Sequence, residues 1–244
     1  MKCVICGCPI CGQYYYDHWG NKVCAIHVTN NEVARCASCG QYMVPTDSTG
    51  DGRALCGVCM SSVVMDIEEA ERLKKYILRK FLEVGVEFSD KNLDSVNIEI
   101  VSPVRMAEIR QQPVNLMNKG ITLTRSYSGG FGPIFNTKAR LEHQVYMLSY
   151  LTRVEFAATL AHEILHIWQN ENGIKLPPMK CEGLCNMGAY MIYEDMNSLK
   201  VSFFKKSMVE SPDPIYGDGF RYMLAEREKH GLKRLFEMAK QGQL

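Results

Sequence analysis

Two of the six histidines in this 244-residue chain fall four residues apart, in His162-Glu163-Ile164-Leu165-His166. On a helix, residues four apart lie on one face, about 6 Å apart along the axis. Two imidazoles so placed can reach one tetrahedral Zn²⁺, because Zn–N bonds run about 2.0–2.1 Å. Glu163, rotated about a quarter turn away, is placed to take a proton from a zinc-bound water as general base. The plainer alternative is a pair of core histidines satisfied by hydrogen bonds. Glu182, downstream of Leu176-Pro177-Pro178, is the candidate third ligand and would leave the fourth zinc position to water, as a catalytic site requires. Its alternative is a carboxylate favoured by the dipole in the first turn of a helix. Asn186, one turn on, can accept a hydrogen bond from a ligating imidazole. Tyr216 and His230 are candidates for steadying the oxyanion of a tetrahedral intermediate, each with an ordinary structural alternative. Cys181 and Cys185 read as buried core thiols rather than a metal pair.

A second chemistry sits at the other end. Nine of the 11 cysteines lie in the first 59 residues, mostly as Cys-x-x-Cys pairs. Cys8-Pro9-Ile10-Cys11-Gly12-Gln13-Tyr14 matches Cys36-Ala37-Ser38-Cys39-Gly40-Gln41-Tyr42, and Cys24 with His27 matches Cys56 with Cys59. The chain therefore repeats one zinc-ribbon-like unit. The repeat assigns Cys8, Cys11, Cys24 and His27 to one structural zinc, and Cys36, Cys39, Cys56 and Cys59 to another, in sequential rather than cross-braced order. Cys3 and Cys6 also read Cys-x-x-Cys-Gly; they either displace Cys8 and Cys11 or remain a free dithiol. His18 is read as a surface or stacking residue. So small a module, poor in Leu and Ile, needs metal to fold. It presents a surface to another protein or packs on its neighbour.

The elements that must carry these residues follow from periodicity. Thr152 and Glu155 form a capping box ahead of the His-Glu segment, and Asn172-Gly173 supplies a stop. An amphipathic helix is expected over 63–84, with Ile67, Ala70, Leu73, Ile77, Phe81 and Val84 on one face. Residues 96–101 alternate with period 2, and 121–124 and 144–148 are further strands. Ser128-Gly129-Gly130-Phe131-Gly132-Pro133 reads as a loop that fits no phosphate-binding fingerprint. The 144–148 strand is the expected edge for binding extended peptide by strand addition. After Pro177-Pro178 a helical segment is expected to run to about Glu210.

Lys and Arg total 28 against 27 for Asp and Glu, a formal charge of +1. That is no footprint for a phosphate backbone, so nucleic acid is not expected as a partner. No apolar stretch approaches a signal peptide or a membrane span, so no membrane partner is expected. Clustered Cys-x-x-Cys without a secretory signal points to a reduced compartment, the cytoplasm.

Taken together, the cysteine array ending in Leu55-Cys56-Gly57-Val58-Cys59, Val64-Met65-Asp66, Leu160-Ala161-His162-Glu163-Ile164-Leu165-His166-Ile167-Trp168, Glu182-Gly183-Leu184-Cys185 and Tyr216-Gly217-Asp218-Gly219-Phe220-Arg221 resemble a known family. It is that of the LIM-domain zinc metallopeptidases typified by the plant organ-size regulators, ubiquitin-activated enzymes with bacterial relatives. The resemblance implies zinc on His162, His166 and Glu182, Glu163 as catalytic base, and proteins as substrates. The chain departs from the family pattern in places. Eight residues separate His27 from Cys36 where the ordinary LIM spacing has two, and Ser149-Tyr150-Leu151 stands where Gly-Leu-Pro is usual.

The expectation is an α+β protein: a LIM-like double zinc-ribbon module over 1–62, a helical connector over 63–94, and a zincin-like, gluzincin-type peptidase domain over 95–244. It carries three zinc ions, two structural and one catalytic, and cleaves protein substrates. The alternative is an adaptor that binds a protein partner through its zinc module and whose peptidase half is inactive.

Overall fold

The structure, a computed structural model, describes residues 1–45, 49–88, 96–127, 140–196, 198 and 200–244. Two small units open the chain. In the first, β1 (Tyr14–Tyr16) and β2 (Lys22–Cys24) pair antiparallel and lead into α1 (Ala25–Thr29). In the second, β3 (Ala34–Arg35) and β4 (Tyr42–Met43) close a hairpin around Cys36 and Cys39, and α2 (Gly57–Met60) follows Cys56. Each unit begins with Cys-x-x-Cys-Gly. Gly7 and Gly40 both sit at φ 72°, and each donates its N–H to the carbonyl of the first cysteine at 2.9 Å. That left-handed turn suits glycine, which has no Cβ to clash.

Asp66 accepts the Glu68 N–H and starts α3 (Ile67–Glu83), which buries Ala70, Leu73, Ile77 and Phe81 along one stripe. The expected face is present from Ala70 to Phe81, but the helix starts four residues later and its first residue, Ile67, is exposed. β5 (Asn97–Val101) leads through a Ser102 cap into α4 (Pro103–Arg110), then come β6 (Gly120–Tyr127) and β7 (Arg140–Leu148). The sheet order is β5-β7-β6, with β7 parallel to β5 and antiparallel to β6. The 144–148 strand is therefore central, not the edge. Val145 and Met147 are fully buried on one face of it, a pattern that alternation alone cannot tell from an edge strand. The edge nearest the site helix is β6. The expected 128–133 loop and the end of the connector, 89–94, lie outside the described residues.

The site helix, α5 (Arg153–Glu171), has the expected capping box and ends at Asn172, with Gly173 at φ 62°. It is buried on almost every side, and Phe156, Leu160, Ile164, Leu165 and Trp168 anchor the main core. A helix apolar all round belongs in an interior. α6 (Pro178–Asp195) packs against it, followed by α7 (Val201–Val209), α8 (Tyr216–His230) and α9 (Leu232–Lys240). The single helix expected to reach Glu210 is broken, because Met196 adopts an extended conformation (φ −80°, ψ 119°) that ends α6.

α6 and α8 meet backbone to backbone. A Cβ on Gly183 would lie 2.2 Å from the Gly219 carbonyl oxygen, and one on Gly219 would lie 2.1 Å from that of Met179. The contact fixes α6 against α8, and with it Glu182, next to Gly183, relative to Tyr216, three residues before Gly219. Gly183→Ala is therefore expected to destabilise the fold by at least the ~1–3 kcal/mol of a typical overpacking change. A thermal melt unchanged from the parent would contradict this packing.

The second cysteine unit is fastened to α5 and to the turn that leads into it. Ser38 donates to Glu155 at 2.5 Å, Arg53 donates to the Ser149 carbonyl at 2.9 Å, and Val63 bridges to Thr152. Burial works to raise the Glu155 pKa, but the ion pair with Lys119 and hydrogen bonds from Ser38 and Thr152 hold it below the usual range. Among the described residues, no helix is long and apolar enough to cross a membrane.

Candidate metal centre

Three side chains converge between α5 and α6. His162 Nε2 lies 3.1 Å from Glu182 Oε2, His166 Nε2 lies 3.2 Å from His162 Nε2, and His166 Nε2 lies 3.5 Å from Glu182 Oε2. Atoms bound at about 2.05 Å to the corners of a tetrahedron are separated by about 3.3–3.4 Å. The triangle thus has the size of one face of a zinc coordination sphere. Burial would raise the Glu182 pKa, yet the two imidazoles lower it to about 2. Burial would lower that of His166, yet Cys181, Glu182 and the Glu163 charge raise it to about 10.

Glu163 is on the same helix and buried, with its carboxylate accepting a hydrogen bond from Thr122 Oγ1 of β6 at 2.8 Å. His162 Nδ1 is 2.9 Å from Asn186 Oδ1, and Asn186 in turn donates to the Tyr216 carbonyl. The Tyr216 ring lies over His162, with centroids 6.4 Å apart and planes at 28°. Burial, with the Glu182 charge nearby, pushes its phenol up to about 12. His230 is not at this site. It closes α8, about 21 Å along the axis from Tyr216, and pairs with Glu226 on an exposed surface. Two adjoining clefts, of 530 Å³ and 270 Å³, share Arg110, Gly120, His162, Glu163 and Tyr216, so the triangle opens on a continuous groove.

Cys181 and Cys185 are not merely core. Cys185 Sγ is 3.4 Å and Cys181 Sγ 3.9 Å from His166 Nδ1. His162, His166 and Cys185 also hold ligand atoms within 4.8 Å of one another. Cys185, however, contacts Nδ1, whereas Glu182 faces both Nε2 atoms. Of the two, Glu182 is the one whose oxygen lies within 3.5 Å of both Nε2 atoms.

The cysteine-rich units form two further clusters. Cys36, Cys39, Cys56 and Cys59 are all buried with sulfurs within 4.8 Å of one another, and Cys39 and Cys56 are 3.9 Å apart. With Zn–S bonds of about 2.3 Å, the tetrahedral edge is about 3.8 Å. The other cluster is Cys3, Cys6, Cys24 and His27, which corrects the expected use of Cys8 and Cys11. Those two are exposed, their sulfurs turned onto the Cys6 and Pro9 carbonyls. The reason is the register of the repeat. The Cys24 N–H points at Cys3 Sγ as the Cys56 N–H points at Cys36 Sγ, and Gly12 lacks the left-handed turn of Gly7 and Gly40.

His27 Nε2 is buried with no hydrogen-bond partner among the described residues, while Nδ1 meets Glu32 at 2.5 Å. An imidazole oriented by a carboxylate, with its other nitrogen bare, suits a metal. Glu32 and Thr122 carry no sequence signal, since each is one polar residue whose partner is known only after folding. Cys3→Ala is expected to remove one zinc per chain and unfold the first unit, while Cys8→Ala leaves the zinc content intact. Equal losses in elemental analysis would restore the Cys8 assignment.

No protein-family model matches the chain, and no solved structure matches it. Curated relatives do. "LIM domain-containing protein HDR3" of Oryza sativa subsp. japonica is 23% identical over 299 aligned positions, covering 93% of this chain and 59% of the relative. From Arabidopsis thaliana, "Protein DA1-related 1" is 27% identical over 279 positions, covering 91% and 50%. "Protein DA1" of the same plant is 25% identical over 294 positions, covering 94% and 55%. The chain spans about half the length of the curated relatives it matches.

Proposed function

We propose that the chain is a zinc-dependent peptidase acting on protein substrates. The observation that carries this reading is the 3.1–3.5 Å triangle of His162, His166 and Glu182 beside the buried carboxylate of Glu163. Zinc held there would supply Lewis acidity and a bound water that loses its proton near neutral pH. Glu163 is placed to take a proton from the attacking water and pass it to the leaving amine, while the Thr122 hydroxyl keeps its carboxylate aimed. Asn186 fixes His162 with Nε2 free to ligate. The Tyr216 phenol, which keeps its proton up to about 12, can donate to the developing oxyanion. β6 has one unpaired edge among the described residues and lines the groove at Gly120, Ile121 and Thr122. An extended peptide added there would pass the triangle.

Residues 1–62 form the double zinc module in this reading, 63–94 the connector and 95–244 the peptidase. The family names of the relatives, one of them a LIM domain protein, agree with a zinc module. The test is incubation of the zinc-loaded chain with an unfolded protein, with new N-termini mapped by mass spectrometry. No cleavage by a preparation carrying zinc at His162 and His166 would favour the adaptor instead.

A further inference from the structure

The outer nitrogens of the two site imidazoles are held differently. His162 Nδ1 meets an amide oxygen, that of Asn186 at 2.9 Å; His166 Nδ1 meets a sulfur, that of Cys185 at 3.4 Å. Both partners come from α6, as does Glu182, and Cys185 and Asn186 lie three and four residues beyond it. We propose that Cys185 is a positioning residue for the metal, its sulfur accepting the Nδ1–H of His166 as Asn186 accepts that of His162. One face of α6 then supplies the third ligand and both outer contacts. The proposal rests on the metal-centre reading above.

The surroundings of Cys185 fit an acceptor. It is fully buried, and Gln169 Nε2 donates to the same sulfur at 2.9 Å. A thiol in this place orients the ring without adding a third negative charge beside Glu163 and Glu182, which a carboxylate would do at a large desolvation cost. An imidazole that ligates through one nitrogen presents the other to an orienting group, and loss of that group commonly weakens metal binding about 10–100-fold. Cys181 stands farther off, at 3.9 Å, and is only partly buried.

The test is a chelator competition on the full chain that reads the affinity of the third equivalent of zinc. Cys185→Ala is expected to raise its Kd about 10–100-fold and leave the other two ions in place. Cys185→Ser, which keeps an acceptor, is expected to recover most of that loss. Third-site affinity in Cys185→Ala equal to the parent's would overturn the proposal. So would a Cys185→Ser as weak as Cys185→Ala, the result for a thiolate bound directly to zinc. The parent itself provides a reading that needs no substitution in the core. Nitrogen-15 correlation spectra of the zinc-loaded protein should show His166 protonated at Nδ1, and a bare Nδ1 would overturn the assignment. A parent with only two zinc ions would fail the metal-centre reading itself, a result distinct from any of these.

Discussion

Glu163→Gln is expected to keep its zinc and to lose peptide hydrolysis by about 10²–10⁴-fold, the usual contribution of a positioned general base. That loss corresponds to about 3–5 kcal/mol of barrier. The substitution preserves shape, which matters because the carboxylate is 6% exposed and packed under β6. The Thr122 hydroxyl can donate to an amide oxygen as it does to the carboxylate. What the amide lacks is a site for the proton of the attacking water. Zinc content, thermal stability and kcat/KM should be measured on one preparation. Turnover at the parental rate with zinc retained would remove Glu163 from the mechanism. A loss of zinc would instead show that the carboxylate helps hold the ion.

Much of this site can be read from the chain because its parts are close in sequence. The His162 and His166 spacing, the Thr152 and Glu155 capping box and the turn linking Glu182 to Asn186 are helical relations, set by a 3.6-residue period. The structure keeps all of them, and α5 packs on α6 so that the two sets meet. What sequence could not supply is long-range placement. Thr122 reaches Glu163 across 41 residues. His230 shares α8 with Tyr216, yet the length of that helix carries it away from the site. The centrality of β7 depends on β5 pairing beside it, which alternation within one strand does not encode.

The cysteine register is set by chain length rather than by local spelling. Cys8 to Tyr14 and Cys36 to Tyr42 share their local spelling but not their spacing to the second pair. From the first knuckle to the second pair the distance is 20 residues for Cys36 to Cys56, 21 for Cys3 to Cys24 and 16 for Cys8 to Cys24. A tetrahedral site constrains the length of chain that must return to it. Spacing to the closing pair was therefore the better guide than the residues that follow the knuckle. The glycine turn points the same way, because Gly7 and Gly40 take the left-handed conformation and Gly12 does not.

The parent protein is expected to hold three zinc ions per chain, and His162→Ala two. His162 contributes one corner of a three-residue triangle whose remaining corners, His166 and Glu182, leave half the sphere open to water. Structural sites with four protein ligands do not share that weakness, and the two cysteine-rich clusters draw no ligand from α5 or α6. Elemental analysis of metal-replete protein should therefore register a loss of one ion, with the two remaining ions keeping the N-terminal units folded. His162 is only partly buried and at the edge of the groove, so its truncation should leave the core around Phe156, Ile164 and Trp168 intact. Two ions in both proteins would mean that the triangle, despite its dimensions, binds zinc too weakly to work as a centre. The hydrogen bonds among His162, His166 and Glu182 would then be the structural purpose of those residues. The zinc units, with Tyr14, Tyr15 and Tyr16 exposed on β1, would carry the function as a protein-binding surface.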